Sequence, residues 1–172
     1  MQRYAKQNTK PVAGKIDDLL TRADQQWQRG ELRSAFHLFL AAAKQGDATA
    51  QLDLGYFYDT GTGIKPNRSL ALRWYKQAYR QGRGAAASNI GTIFRDEGRL
   101  RQALAWFERA AKLGDSDANL EIARILLHRK RAEEAIPYLK RVVSAEPGLE
   151  VTEASHEEAT GLLKTCLFTS QA

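Results

Sequence analysis

One short pattern occurs three times in this chain, and it constrains the fold more than any other feature. The pattern is an alanine, an aromatic residue at +4, a second alanine at +7 and a glycine at +11. It spans Ala35–Gly46, Ala71–Gly82 and Ala103–Gly114, and a weaker copy starts at Ala135. Repetition at this spacing predicts stacked helical units rather than a single closed globule.

Each copy is predicted to contain two antiparallel helices, A followed by B. The pattern belongs to helix B, where apolar residues recur at steps of three and four. Its alanines let a neighbouring helix approach closely, and its aromatic residue fills the space between units. Gly82 and Gly114 are expected to follow helix B with a positive φ. Asp47 and Asp115 are expected to cap the helix A that comes next.

A second pattern marks helix A: an aliphatic residue, a small residue, and a bulky residue three positions after the small one. The small residues are Gly55, Gly91 and Ala123, which are separated by 36 and 32 residues. Extrapolation by 32 residues upstream leads to Ala23. We expect helix B to cross helix A at the small residue, because a larger side chain there would push the two helices apart.

Residues 50–82 resemble a known repeat family. The matching residues are Ala50, Leu54-Gly55, Tyr58, Gly61-Thr62-Gly63-Ile64, Ala71, Trp74-Tyr75, Ala78 and Gly82. Together they resemble one full Sel-one-like repeat, a branch of the tetratricopeptide-like α-solenoids. Residues 84–115 resemble an ordinary tetratricopeptide unit, since Asp96–Arg99 forms a shorter loop than Gly61–Asn67. The units at either end depart from the pattern, as expected where an outer face meets water.

The predicted fold is therefore all-α. The resemblance implies a tetratricopeptide-like right-handed superhelical array of about four antiparallel helix pairs plus a C-terminal capping helix. We predict a flexible N-terminal tail over residues 1–14, the repeat array over 15–149 and the capping helix over 150–172. An amphipathic helix is expected from Glu153 to Ser170.

Net charge, cysteine count and the length of apolar stretches limit the kinds of partner and compartment that are expected. The net charge of +6 and the sequence pI near 9.5 would favour acidic partners. The single cysteine, Cys166, cannot form an intrachain disulfide and is expected to be a small buried hydrophobe. No apolar stretch approaches the roughly 18 residues of a membrane helix. The basic start of the chain lacks the apolar core of a signal peptide, so a cytoplasmic location is expected.

The sequence offers no arrangement of residues suited to catalysis. Gly61-Thr62-Gly63 lacks the Gly-Lys-Ser/Thr that completes a phosphate loop. His37, His128 and His156 show no metal-ligand spacing, and His156 is expected at a solvated helix start. No serine lies in a nucleophile elbow. We therefore expect a protein that is not an enzyme and that needs no cofactor or metal.

In the implied architecture the A helices line the concave face, where a partner would bind. The residues one and four positions after the small anchor, or three before it, are expected to point inward. The predicted partner-binding residues are Asp24, Trp27, Leu52, Tyr56, Asp59, Ser88, Thr92, Arg95, Arg124, Leu127 and His128. Trp27 is singled out because it does not occupy a core position of the repeat. The lysine and asparagine clamp that some tetratricopeptide domains use for a C-terminal carboxylate is absent.

The preferred function is a non-enzymatic adaptor or regulator that binds a protein or peptide on this concave face. The alternative is a basic nucleic-acid-binding helical repeat, for which His128-Arg129-Lys130-Arg131 could supply phosphate contacts. Proteins that stack bases interleave aromatic and basic residues. In this chain Trp74-Tyr75 and Trp106-Phe107 are expected in the repeat core, so nucleic acid is not the favoured partner.

Overall fold

The computed structural model describes residues 11–148 and 151–169, and these residues form nine α-helices without a β-strand. The helices are α1 Pro11–Gln28, α2 Leu32–Lys44, α3 Ala48–Thr60, α4 Arg68–Arg80, α5 Gly84–Asp96, α6 Leu100–Lys112, α7 Asp117–His128, α8 Ala132–Ser144 and α9 Glu153–Thr169. The predicted all-α class is confirmed. The odd-numbered helices α1 to α7 are the A helices, and the even-numbered helices are the B helices.

The chain divides into two compact units between Ala78 and Tyr79. In unit 1, α1 packs on α2 and α2 packs on α3. In unit 2, the packed neighbours are α5 with α6, α6 with α7, α7 with α8, and α8 with α9. Each unit is therefore built from consecutive helices that pack on one another, as the repeat pattern predicts.

The repeated alanines and aromatic residues of the B helices form the core. All of these positions are at most 1% exposed: Ala35, Phe39, Ala42, Ala71, Tyr75, Ala78, Ala103, Phe107, Ala110, Ala135, Leu139 and Val142. Trp74 and Trp106, which were also expected in the core, are only half-buried. Arg109 lies over the Trp106 ring, 4.7 Å from its centroid. Each directly precedes the buried aromatic position and so lies on a different side of its helix, where Trp74 packs against the buried cluster of unit 1.

The small residues of the A helices lie where the B helices cross. A β-carbon at Gly55 would overlap the Tyr75 ring, and one at Gly91 would lie 2.8 Å from Cδ1 of Phe107. Both rings are the +4 aromatic residues of the B pattern. The prediction that these glycines permit the close helix crossing is confirmed.

The turns after the B helices are partly as predicted. Gly82 and Gly114 have φ values of 86° and 88°, in the left-handed region that favours glycine. Asp47 caps α3, since its Oδ1 accepts a hydrogen bond of 2.7 Å from the backbone N–H of Ala50. Asp115 does not cap α7, because that helix begins later, at Asp117, and the Asp115 carboxylate accepts a hydrogen bond from Ser88.

The long loop of unit 1 packs on a neighbouring helix. It covers residues 61–67 between α3 and α4. A β-carbon at Gly63 would lie 2.6 Å from Cβ of Leu32, the first residue of α2. Ile64 packs against the buried cluster of unit 1. The loop therefore belongs to the hydrophobic packing of that unit and replaces the tight turn found between α5 and α6.

Both ends of the described chain are helical. α1 begins at Pro11, inside the segment predicted as a tail, while residues 1–10 lie outside the described residues. α9 ends at Thr169, and the predicted helix end at Ser170 also lies outside them. The division into tail, array and capping helix stays a prediction.

α9 is anchored to α8 through a histidine that we expected at a solvated helix start. The Nε2 atom of His156 lies 3.0 Å from the carbonyl oxygen of Val143, and the side chain is half-buried. The expectation was wrong because the packing of α9 on α8 covers this position. Cys166 is 4% exposed, so its predicted burial is confirmed. Of the helices described, none is both long enough and apolar enough to cross a membrane.

Candidate functional site

The predicted partner-binding residues of unit 1 lie on α1 and α3. Asp24 is exposed, and Trp27, Leu52 and Asp59 are half-buried. Tyr56 is 42% exposed, which is unusual for an aromatic side chain in the middle of a packed helix.

Trp27 and Tyr56 are brought together by the packing of unit 1. Their rings stack with centroids 5.7 Å apart and planes 26° apart. Trp27 also presents its edge to Phe39 and Phe57, with centroid distances of 5.8 Å and 4.8 Å. Both phenylalanines are fully buried. Trp27 therefore packs against the core, contrary to our expectation, and its ring supports the exposed ring of Tyr56.

The predicted residues of unit 2 lie on α5 and α7, where two arginines share one glutamate. Glu121 accepts hydrogen bonds from Arg95 on α5 and from Arg124 on its own helix. Arg95 also pairs with Asp96. The guanidinium of Arg124 binds both carboxylate oxygens of Glu158 on α9, with 2.8 Å between Nε and Oε1. This charged network joins helices α5, α7 and α9.

The contact between Arg124 and Glu158 shifts the pKa values of both groups. The hydrogen bond donated by Arg124 holds the pKa of the Glu158 carboxyl below its usual value. The same hydrogen bond raises the pKa of Arg124. Each group thus stabilises the charged form of the other. Arg124 fixes α9 against α7, a role that the sequence analysis did not assign to it.

A small cavity of about 220 Å³ lies beside this network. It is lined by Arg95, Leu100, Glu121, Arg124, Ile125 and His128. Three predicted residues therefore meet at one depression. Ligand pockets for drug-sized molecules occupy about 300–1,000 Å³. This cavity is smaller than that range.

The remaining predicted residues of unit 2 are not gathered at this cavity. Ser88 donates a hydrogen bond of 2.6 Å to Asp115 and has a structural role. Thr92 and Leu127 are half-buried. The accessible positive charge of this face therefore lies on Arg95 and Arg124, and the side chain of His128 beside them is exposed.

A larger cavity lies away from every predicted residue. It measures about 480 Å³ and lies between α6, α7 and α8, with Glu108, Lys112, Asn119, Tyr138 and Arg141 among its lining residues. It opens between two B helices and carries charges of both signs on its rim. This B-helix groove is the main competitor to the A-helix faces as a binding surface.

The described residues hold no group of three or more His, Cys, Asp or Glu side chains that could bind a metal ion. Sequence reasoning missed Glu121 and Glu158 as partners of the arginines. Glu121 could have been found from its i,i+3 spacing to Arg124. Glu158 lies 34 residues from Arg124 and no local spacing signals their contact.

Comparison with known proteins gives two repeat families along the chain. Residues 31–47 and 48–82 match the Sel1 repeat. Residues 88–150 match the tetratricopeptide repeat. The boundary between the matches agrees with the resemblance seen in the sequence, where the longer loop distinguished the first type of unit from the second.

Solved structures share the fold at low sequence identity. A Sel1 repeat protein from Oxalobacter formigenes is 21% identical, with a TM-score of 0.66 over 89% of this chain and 74% of that one. A protective antigen of uropathogenic Escherichia coli with an SLR fold is 20% identical, with a TM-score of 0.67 over 88% of this chain and 38% of that one. The present chain thus spans well under half of that antigen.

A third similar structure carries tetratricopeptide repeats. YrrB, described as a TPR protein with an unusual peptide-binding site, is 19% identical, with a TM-score of 0.61 over 95% of this chain and 86% of that one. These similarities confirm the predicted fold class of tetratricopeptide-like helix pairs. Residues 31–82 therefore match Sel1 repeats and residues 88–150 match a tetratricopeptide repeat, within a fold of tetratricopeptide-like helix pairs.

Proposed function

We propose that this chain is a non-enzymatic adaptor or regulator that binds a protein or peptide on the faces of its A helices. Sel1 and tetratricopeptide repeat proteins are generally scaffolds for protein interactions, and the fold is typically not catalytic. The similar protein YrrB is described as having a peptide-binding site. The proposal assigns a comparable activity to the A-helix residues of the present chain.

The observation that carries the proposal is the exposed aromatic pair on unit 1. A ring that is 42% exposed and backed by a second aromatic ring offers a large, rigid contact surface. Tyrosine, tryptophan and arginine dominate the energetics of protein interfaces. Tyr56 and Trp27 supply two of these residue types in unit 1, and Arg95 supplies the third in unit 2.

The test needs no knowledge of the natural partner. A phage-displayed library of random peptides would be selected on the full chain, and the affinity of the enriched peptides measured by calorimetry. We expect Tyr56→Ala or Arg95→Ala to weaken binding by about 1–3 kcal/mol. Circular dichroism should show little loss of helicity, since both residues are partly exposed.

The matched controls lie on the B helices. Lys76 on α4 and Glu108 on α6 are exposed, and Glu108 lines the B-helix groove. Lys76→Ala and Glu108→Ala should leave the affinity nearly unchanged. If these two variants abolish binding while the A-helix variants do not, the partner uses the B-helix surface and the proposal is wrong.

Salt separates this function from the alternative of nucleic-acid binding. Protein–phosphate contacts release counterions, so affinity for nucleic acid falls steeply as salt rises. We expect peptide binding to persist at salt concentrations where any association with single-stranded or duplex nucleic acid is lost. Tight nucleic-acid binding that survives physiological salt would favour the alternative.

A further inference from the structure

We propose that the B-helix groove of unit 2 binds a short extended segment in which an acidic side chain lies between two aliphatic ones. This second site goes beyond the proposed function, which concerns the A helices. Three features of the groove carry the inference. They are its length, a buried hydrogen-bond acceptor that has no donor among the described residues, and an excess of positive charge on its rim.

The groove extends beyond the cavity of about 480 Å³. A second cavity, of about 330 Å³, shares Glu108, Ile122 and Tyr138 with the first as lining residues. The lining positions on α6 run from Leu104 to Lys112, which corresponds to about 12 Å at 1.5 Å per residue. An extended chain advances about 3.3–3.6 Å per residue, so three or four residues of a bound segment match this length.

The floor of the groove holds a buried acceptor among apolar side chains. Asn119, Ile122 and Leu126 follow one face of α7 at steps of three and four residues, and all three line the groove. Asn119 is 7% exposed, and its Nδ2 atom donates a hydrogen bond of 3.1 Å to the carbonyl oxygen of Ser116. Its Oδ1 atom is buried and accepts no hydrogen bond from any residue that the structure describes. A buried acceptor without a donor costs free energy, which an N–H group of a bound segment would recover.

The rim of the larger cavity carries more positive than negative charge. Lys112 of α6 and Arg141 of α8 are exposed there, and Glu108 is the single acid among the described residues that line this cavity. In the second cavity the charges of Arg131 and Glu134 compensate each other in an ion pair. A carboxylate on the bound segment would therefore be attracted to the rim of the larger cavity.

The alternation of side chains along an extended chain joins these features. Neighbouring side chains of such a chain point to opposite faces. Two aliphatic side chains at positions i and i+2 can thus face the apolar floor while the side chain between them faces the rim. An acidic side chain at this middle position would meet Lys112 and Arg141, whereas a basic one would meet like charge.

The experiment uses blocked tripeptides that differ in the middle side chain. Acetyl-Leu-Asp-Leu-amide is compared with the same peptide carrying asparagine or lysine in place of aspartate. Binding to the full chain is followed in ¹H–¹⁵N spectra by the side-chain amide signal of Asn119, which Asn119→Leu assigns. We expect the aspartate peptide to shift this signal at millimolar concentration. The asparagine peptide should bind about two- to fivefold more weakly, the range of an exposed ion pair, and the lysine peptide more weakly still.

A pair of charge-matched variants on α8 tests the rim. Arg141→Gln should weaken binding of the aspartate peptide by about two- to fivefold and leave the asparagine peptide unaffected. Lys140→Gln removes the same charge from an adjacent exposed position that lines neither cavity, and should have no effect. Glu108→Gln removes the competing acid and should tighten binding of the aspartate peptide by about twofold.

Ester analogues of the peptide test the buried acceptor. In three analogues, one backbone N–H each is replaced by an ester oxygen, which keeps the shape of the chain and removes a donor. One analogue should bind the wild type about three- to tenfold more weakly than the parent peptide. The same replacement should have no effect on binding to Asn119→Leu, whose helicity is checked by circular dichroism. If all three analogues bind the wild type like the parent peptide, Asn119 does not accept a hydrogen bond from the segment and the inference is wrong.

Three further results would overturn the inference. The first is no shift of the Asn119 signal, which would mean that the groove holds solvent only. The others are equal binding of the aspartate and asparagine peptides, and equal effects of Arg141→Gln and Lys140→Gln. Tyr56→Ala should leave binding of the tripeptide unchanged, and a loss there instead of in Arg141→Gln would place the peptide on the A helices. The proposed function is judged separately with library-selected peptides, so failure of the groove leaves it intact.

Discussion

The two units build their A helices in the same way and present different side chains on them. Each has a glycine where helix B crosses, Gly55 in unit 1 and Gly91 in unit 2. Unit 1 then displays stacked aromatic rings flanked by acids, whereas unit 2 displays Arg95 and Arg124 held by glutamates. The repeat pattern therefore fixes the buried positions, whereas the side chains exposed on the A helices differ between the two units.

The largest expected effect tests the feature that the two units share, a glycine at the crossing of helices A and B. Replacing a helical glycine with alanine normally stabilises a helix by about 0.5–1 kcal/mol. At Gly55 and Gly91 the added β-carbon would meet a buried ring, so both Gly→Ala variants should destabilise by about 1–3 kcal/mol. The loss should be larger for Gly55, where the overlap with Tyr75 is closer. Thermal melting of each variant measures the effect.

Gly161 provides the matched control for these variants. It lies in α9, and a β-carbon there would meet nothing within 4 Å. Gly161→Ala should therefore raise the melting temperature slightly. If all three substitutions were equally stabilising, the A and B helices would not cross at the glycines, and the common architecture of the two units would be disproved.

The next largest effect separates two aspartates that occupy equivalent places in the repeat. Asp47→Ala removes the cap of α3 and should cost about 1 kcal/mol. Asp115→Ala removes a side-chain hydrogen bond with Ser88 and leaves the start of α7 as it is. Serine and asparagine are also good caps, so Asp47→Ser should recover most of the stability, measured by denaturant unfolding.

At position 115, replacement by another capping residue is not expected to restore the stability lost in Asp115→Ala. Because Asp115 acts as the acceptor of the Ser88 hydroxyl, Ser88→Ala should be about as costly as Asp115→Ala, and the double variant should cost little more than either one. Additive losses in the double variant would mean that Ser88 and Asp115 act independently.

The smallest expected effect is the loss of stability of α9 in unit 2 as the pH falls. Arg124 holds the pKa of Glu158 below its usual 4.5, so this contact stabilises α9 above that pH and is lost as the pH falls through the lowered value. Both side chains are about two-fifths exposed, which limits the contribution to about 0.3–1 kcal/mol. Hydrogen exchange of α9 amides at a series of pH values measures it.

Glu158→Gln should accelerate exchange in α9 at neutral pH and reduce its dependence on pH. The neighbouring Glu157 is exposed, and Glu157→Gln serves as the control that should behave like the wild type. Equal acceleration in both variants would show that general charge, rather than the contact with Arg124, holds α9 in place.

Much of the fold was predictable because it depends on local spacing. The burial of the Ala35, Ala71 and Ala103 copies, the glycine crossings and the loop at residues 61–67 all follow from periodicity within one unit. The role of Asp115 was missed because capping depends on where the helix actually begins, which varies by one or two residues. Element boundaries of this kind are not set by the pattern.

The candidate site was less predictable. Spacing placed Trp27 and Tyr56 on A helices, and did not reveal that their rings stack. The contact of Arg124 with Glu158 joins residues that lie 34 positions apart in the sequence. The contact of His156 with Val143 forms only when α9 packs on α8. Side-chain partners across helices depend on tertiary packing, about which a repeat pattern carries no information.

The most direct test of the central claim is a map of the residues that a bound peptide touches. Amide and indole signals of the full chain would be followed in ¹H–¹⁵N spectra during titration with a peptide selected from the random library. We predict that the perturbed signals cluster at A-helix positions, around Trp27 and Tyr56 in unit 1 or around Arg95 in unit 2. Perturbations confined to the B helices, around Lys76 or Glu108, would contradict the account.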